Sequence, residues 1–190
     1  MFFNTFAAAA SLLLGVSTAL PQATEGPLAP DAKFTLMSLR SGSEIHYASF
    51  EAAKSSIFLK LPSQNASCDA GPAEAATFFL QDGGLYLYAE SATPQQLFAD
   101  RSGMGQGKLG YTTGAEPAPQ NAERTGFQLD ANNDLTLGGA SFIACPNSID
   151  GAWSVWVSAG VEQPAGNSGC VGISARAVNA ANPNGCLYTA

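Results

Sequence analysis

From Phe34 onward the chain offers only short apolar runs cut by turn residues, a spacing that builds β-sheet and leaves little room for helix. The clearest instance is residues 76–88, ATFFLQDGGLYLY, where Asp82-Gly83-Gly84 separates two alternating runs. Glycine reaches positive φ at little cost, so this segment reads as a hairpin. Residues 127–137 repeat the arrangement. Both stretches share F-x-L, a polar turn and L-x-L, carried by Phe78, Leu80, Leu85 and Leu87 and by Phe127, Leu129, Leu135 and Leu137. Two hairpins obeying one alternation rule explain the likeness better than an internal repeat. Further strands are expected at 34–40, 44–50, 57–61, 141–145, 153–158, 172–178 and 186–189. Segments 50–57 and 93–100 have room for a helical turn or two. Residues 103–119, GMGQGKLGYTTGAEPAP, read as a long loop, because glycine and proline deny it a ladder. The expected class is all-β: one antiparallel β-sandwich or barrel of short strands with a long Gly/Pro-rich loop.

Residues 1–19, MFFNTFAAAASLLLGVSTA, are an apolar run followed by small residues, with Ser17 and Ala19 at the minus-three and minus-one positions of a cleavage site. That is the pattern of a secretory signal peptide. Its apolar part is too short to span a bilayer, which takes ~20 residues. Residues 20–33 hold three prolines and no apolar period, and read as a flexible leader. Residues 34–190 form the β-rich domain, long enough for one proper core. The last residues do not form the apolar tail of a lipid-anchor signal, so none is expected.

An oxidising destination changes how the cysteines are read. Cys68, Cys145, Cys170 and Cys186 contain no C-x-x-C pair, and one histidine cannot complete a zinc site, so no metal or other cofactor is expected. An even count implies two disulfides, for which three pairings exist. The preferred one joins Cys68 to Cys145 and Cys170 to Cys186, because the last two flank a single candidate hairpin. Asn65-Ala66-Ser67 is an N-glycosylation sequon, meaningful behind a secretory signal. A formal charge of -7 repels phosphate backbones and anionic lipid, which argues against nucleic acid and, for the mature form, against membrane partners. Hydrophobic residues at 46% with only 12% charged argue against disorder.

No catalytic residue emerges. Gly105-Gln106-Gly107-Lys108-Leu109-Gly110 matches G-x-G-x-x-G, but no strand–turn–helix unit surrounds it and Leu109 replaces the magnesium-binding Ser or Thr of a phosphate loop. A tight glycine loop is the better reading. His46 is the single histidine, placed by alternation beside Glu44 with Ile45 and Tyr47 opposite, and no G-x-S-x-G elbow accompanies it. Asp82, Asp100, Asp130 and Asp134 could supply glycosidase carboxylates, yet three of them sit in hairpin turns, where Asp is favoured by geometry alone. Aromatic residues are the better candidates. Alternation puts Trp153, Val155 and Val157 on a core face and leaves Trp156 between Ser154 and Ser158. Tyr86 and Tyr88 similarly oppose Leu85 and Leu87. Trp156, Tyr86 and Tyr88 are thus candidate sugar-stacking residues; the plainer reading is that they pack beneath a loop.

The stretches AAKSSIFLKLPSQNASCD, ATFFLQDGGLYLYAESATPQQLFADRSGMGQGKLGYTTG, IACPNS, GAWSVWVSAGV and PAGNSGC resemble the PhiA family of fungal cell wall proteins. The resemblance covers residues 41–188, and DRSGMGQGKLGYTTG is its most specific part. Asn65 and Cys68 fall in the matching NASCD segment and Cys145 in the matching ACP segment. F-x-L, L-x-L, ACP and W-S-V-W are also similar to other fungal wall mannoproteins. The resemblance implies a secreted, non-enzymatic wall protein acting in phialide and conidium development, with wall polysaccharides or mannoproteins as partners.

Overall fold

A computed structural model describes residues 26–90 and 93–190. The expected signal peptide at 1–19 lies outside the described residues, as does the first part of the leader. Of the leader's remainder, Gly26 and Leu28 are tied to Asn133: its Oδ1 accepts from the Leu28 N–H at 3.0 Å and its Nδ2 donates to the Gly26 carbonyl at 3.1 Å.

The strands are β1 (Lys33–Leu39), β2 (Phe50–Ala53), β3 (Ser56–Leu59), β4 (Ser67–Cys68), β5 (Thr77–Gln81), β6 (Gly84–Leu87), β7 (Gln95–Asp100), β8 (Lys108–Thr113), β9 (Phe127–Leu129), β10 (Asp134–Leu137), β11 (Phe142–Cys145), β12 (Trp153–Val157), β13 (Val171–Asn179) and β14 (Cys186–Leu187). Nine of them follow one another around a ring, β1-β5-β6-β7-β8-β3-β12-β11-β13, and β13 pairs back onto β1. The fold is therefore a closed antiparallel barrel. Its seam is the six-residue ladder from Phe34↔Asn179 to Leu39↔Ser174. The opposite side of β13 is shared, β11 taking its first residues and the β9–β10 hairpin the middle. β2, whose four residues are buried, pairs with β3 off this ring.

Alternation selects the inner face. Phe34, Leu36, Phe78, Leu85, Leu97, Tyr111, Phe142, Val155, Val157, Ile173 and Ala175 are all buried inward. Phe34 stacks on Phe78, and Phe50 meets Phe142 edge-on at 6.4 Å. The two hairpins with the shared pattern bury the same positions, Phe78, Leu85 and Leu87 in one and Phe127, Leu135 and Leu137 in the other. They occupy different places, β5–β6 within the wall and β9–β10 beside it.

The segment expected to be a long loop, 103–119, instead contributes β8 to the wall. Its glycines serve close approach. A Cβ on Gly107 (φ +96°) would lie 1.9 Å from the Val157 carbonyl oxygen, and one on Gly105 2.1 Å from Asp100. One on Gly110 would lie 2.8 Å from the Ser55 carbonyl oxygen. The G-x-G-x-x-G pattern thus lets β8 pass tightly between its neighbours. Residues 93–100, given room for a helical turn, are mostly β7, held by a six-residue register with β8. Residues 50–57 are likewise the β2–β3 hairpin and not a helical turn. The strand expected at 44–50 is a run of turns, because Ser38 already pairs around it with Tyr47 and Ala48. Ile45 drops into the core there while Tyr47 is 63% exposed, so the two do not share a face.

Disulfides join Cys68 to Cys186 and Cys145 to Cys170, which corrects the preferred pairing. Cys170 and Cys186 do not flank a hairpin. The nine residues of β13 run between them as one strand, about 30 Å long. The Ala144↔Val171 register brings Cys145 to Cys170, and β14 lies against β4 with Cys186 opposite Cys68. Cys68–Cys186 closes the longer loop, 118 residues against 25. Replacing both of its cysteines by serine should lower unfolding stability by about 3–5 kcal/mol, and replacing Cys145 and Cys170 by somewhat less. Chemical denaturation of the two double variants checks the order, and non-reducing peptide mapping checks the pairing.

Candidate functional site

Candidate functional side chains lie on the outside of the barrel, because its interior is filled. Tyr86 and Tyr88 are close neighbours on one flank. Lys33, Phe79, Tyr86 and Gln96 are successive cross-strand partners over β1, β5, β6 and β7. Phe79 and Tyr86 stack at 5.2 Å between centroids, and Lys33 Nζ lies 5.4 Å from the Phe79 ring and 5.9 Å from that of Tyr88. Gly84 is needed under this platform, since a Cβ would come within 2.9 Å of both Tyr86 and Gln96. The Tyr88 hydroxyl donates to Glu90 at 3.4 Å; desolvation, and then the negative charge of Glu90, hold its pKa above the ordinary phenol.

Trp156 is not part of this platform. It projects from β12, several strands round the ring, directly opposite Lys108 of β8. Its indole N–H donates to Ser154 Oγ at 3.0 Å, and one side of the half-buried ring lines a groove of about 410 Å³. Trp153, expected in the core face, packs against the core yet reaches solvent, where its N–H donates to Glu44 at 3.2 Å.

Asn65 is exposed in the loop after β3, with φ +47°, a conformation asparagine tolerates. The preceding residue anchors it. Gln64 is buried, its Oε1 accepting from the Ala52 N–H and its Nε2 donating to the Ala73 carbonyl, both at 2.8 Å. Beside it Glu51 is only 8% exposed, and its Oε2 accepts from the Leu61 N–H at 3.0 Å. Both line a groove of about 440 Å³ together with Asn65 and Glu74. Burial outweighs that one hydrogen bond and pushes the Glu51 carboxyl up to about 7.

The four aspartates are not brought together as a reaction centre. Asp100 accepts from the Ser102 N–H, Asp130 caps its own turn through Asn132 and Asp134, and Asp134 binds Arg176 at 2.6 Å. Asp82 forms the β5–β6 turn with Gly83. His46 Nδ1 accepts from the Arg40 N–H at 3.1 Å, which fixes a turn. Among the described residues no group of three or more His, Cys, Asp or Glu is placed to hold a metal ion.

The PhiA-like secreted protein family profile matches residues 34–189, the whole barrel. The chain belongs to this family. It is 57% identical over 180 residues to the cell wall protein phiA of Aspergillus fumigatus, covering 94% of this chain and 97% of that one. It is 59% identical over 161 residues to the Aspergillus niger protein of that name, covering 85% and 88%. It is 36% identical over 184 residues to the one from Arthroderma benhamiae, covering 93% and 94%. No solved structure matches. The family places this chain among secreted cell wall proteins, and the PhiA-like barrel carries its candidate sites on separate outer faces.

The residues missed in the sequence are Glu51, Gln64, Gln95 and Asn133. Three are amides used as substitutes for backbone pairing, and nothing in their local pattern marks them.

Glu51 makes a measurable prediction. The folded state holds its proton up to about pH 7, whereas the unfolded carboxyl releases it near 4.5. Between those values the folded chain binds more protons, so stability is highest at the acid end and falls as pH rises through the window. The fall attributable to Glu51 is on the order of 1–3 kcal/mol. Glu51→Gln should remove it, as read from denaturation midpoints at pH 4.5 and 7.5.

Proposed function

We propose that this chain is a structural, non-enzymatic constituent of the wall of spore-bearing cells, acting in phialide and conidium formation. The observation that supports the reading best is the barrel itself: a closed ring around a mainly apolar core, cross-linked twice. Such a body suits persistence in an extracellular matrix. Asn65, displayed on the Gln64 anchor, is its proposed N-glycosylation site; a mass shift reversed by enzymatic deglycosylation and absent in Asn65→Gln supports it.

A second reading, a glycan-binding module of the wall, rests on the Phe79–Tyr86 stack with Tyr88 and Lys33 beside it. Flat rings of this kind can take the apolar face of a sugar. Neutral wall polysaccharides or mannoproteins are the partners it would hold there.

Deleting the gene should impair conidiation and alter the wall, and normal conidiation with unchanged wall composition contradicts the structural role. On a glycan array, Tyr86→Ala should reduce any binding to chitin, glucan or mannan several-fold; no binding by the unaltered protein removes the second reading.

A further inference from the structure

Three surface grooves differ in charge. The groove beside Asn65 carries Glu51 and Glu74, and a third, of about 300 Å³, carries Arg40 and Glu162. The groove walled by Trp156 carries Lys54 and Lys108 and no carboxylate. In a chain of formal charge -7 this is the exception. Neither lysine forms an ion pair among the described residues, and both are exposed.

Lys54 stands where a stability-selected turn would not put it. It and Ser55 are the two central residues of the β2–β3 hairpin, with φ +49° and +53°. Two-residue hairpins of this hand favour Asn-Gly or Asp-Gly, as Asp82-Gly83 shows in the β5–β6 turn (φ +51° and +74°). Lysine and serine are strained there. The turn is nonetheless held firmly from one side. The Lys54 N–H donates to Thr189 Oγ1 at 3.0 Å, the Ser55 N–H to the Thr189 carbonyl at 3.1 Å, and the Tyr111 N–H to the Ser55 carbonyl at 3.3 Å. The turn therefore places the Lys54 backbone at the rim of the groove, while Lys108 is set beside Trp156 by direct cross-strand pairing. Ser56, Ser154 and Asn167 add hydroxyl and amide groups to the lining.

A half-buried indole face, two unpaired cations and short polar side chains match a sugar ring carrying a negative charge. We propose that the groove between Trp156, Lys54 and Lys108 binds an anionic pyranose unit of a wall polysaccharide, with the ring on Trp156 and the anionic substituent between the two lysines. This rests on the wall-protein reading and adds the ligand's charge to the sugar contact expected of Trp156. Phosphate and carboxylate are the two sources of that charge.

The test is calorimetry on the intact secreted protein with mannose 6-phosphate, a glucuronate-containing oligosaccharide, inorganic phosphate, and neutral mannose and glucose oligomers. One anionic sugar should bind at least about tenfold more tightly than its neutral counterpart and than phosphate alone, and higher salt should weaken it. The phosphate and uronate arms identify the source of charge. Lys108→Gln and Trp156→Ala should each reduce affinity several-fold. The double variant Lys54→Asn, Ser55→Gly supplies the control against misfolding: it restores favoured turn chemistry, so its melting temperature should rise while binding falls. Neutral sugars binding as well as anionic ones, with no effect of the lysine variants, overturns the charge proposal but leaves glycan binding standing. Phosphate binding as tightly as its sugar ester marks a bare anion site and overturns it too. Absence of binding to every sugar overturns both.

Discussion

The pairing of β1 with β13 is the constraint on which the rest of the molecule depends. It joins the first and last long strands through six consecutive residue pairs and turns an open sheet into a ring. Closure pairs the β1 and β13 edges that an open sheet would present to another copy. It also gives the inward side chains of every strand a common interior, so Phe34 can meet Phe78 and Ala175 can be fully covered. The residues that meet at this seam are remote in sequence, so closing it carries the entropic cost of a long loop. The two disulfides act at places the seam leaves open, one at the β11–β13 corner and one on the small β4–β14 pair.

Buried amides do the work that strands do elsewhere. Gln95 illustrates it: its Oε1 accepts from the Tyr188 N–H and its Nε2 donates to the Tyr188 carbonyl, both at 2.9 Å, as a neighbouring strand residue would. That exchange seats the Tyr188 ring in the interior, where burial pushes its hydroxyl pKa up to about 12. Gln64 does the same for the loop bearing Asn65, and Asn133 for Gly26 and Leu28. These amides thus supply partners to backbone groups of irregular segments, and the outer faces they frame differ in charge.

What was legible in the sequence was local. Alternation and Asp82-Gly83 disclose β5 and β6, and Trp153-Ser154-Val155-Trp156-Val157 discloses β12, because one residue type per face suffices to announce a strand. β7 and β8 were not legible for the same reason. Gln95-Gln96-Leu97-Phe98-Ala99-Asp100 has no clean period, and the glycines of β8 look like breakers until the strand they must pass is known. Tertiary pairing decides both. The disulfide pairing failed on a related point: Cys170 and Cys186 are near in sequence, yet a full strand separates them. Of the candidate site residues, Asn65 is proposed from its sequon, and Tyr86, Tyr88 and Trp156 from residue type and alternation. Their separation onto different flanks, and the lysines beside Trp156, depend on strand order, which no local pattern encodes.

Amide hydrogen exchange, read residue by residue at the seam, tests the closed ring most directly. If the barrel is closed, the seam amides of 34–39 and 174–179 that point across the β1–β13 ladder exchange only through global unfolding, with the same protection as the buried strand β11. If those amides exchange as fast as the exposed edge of β9 while β11 stays protected, the ring is open and the account of this fold is wrong.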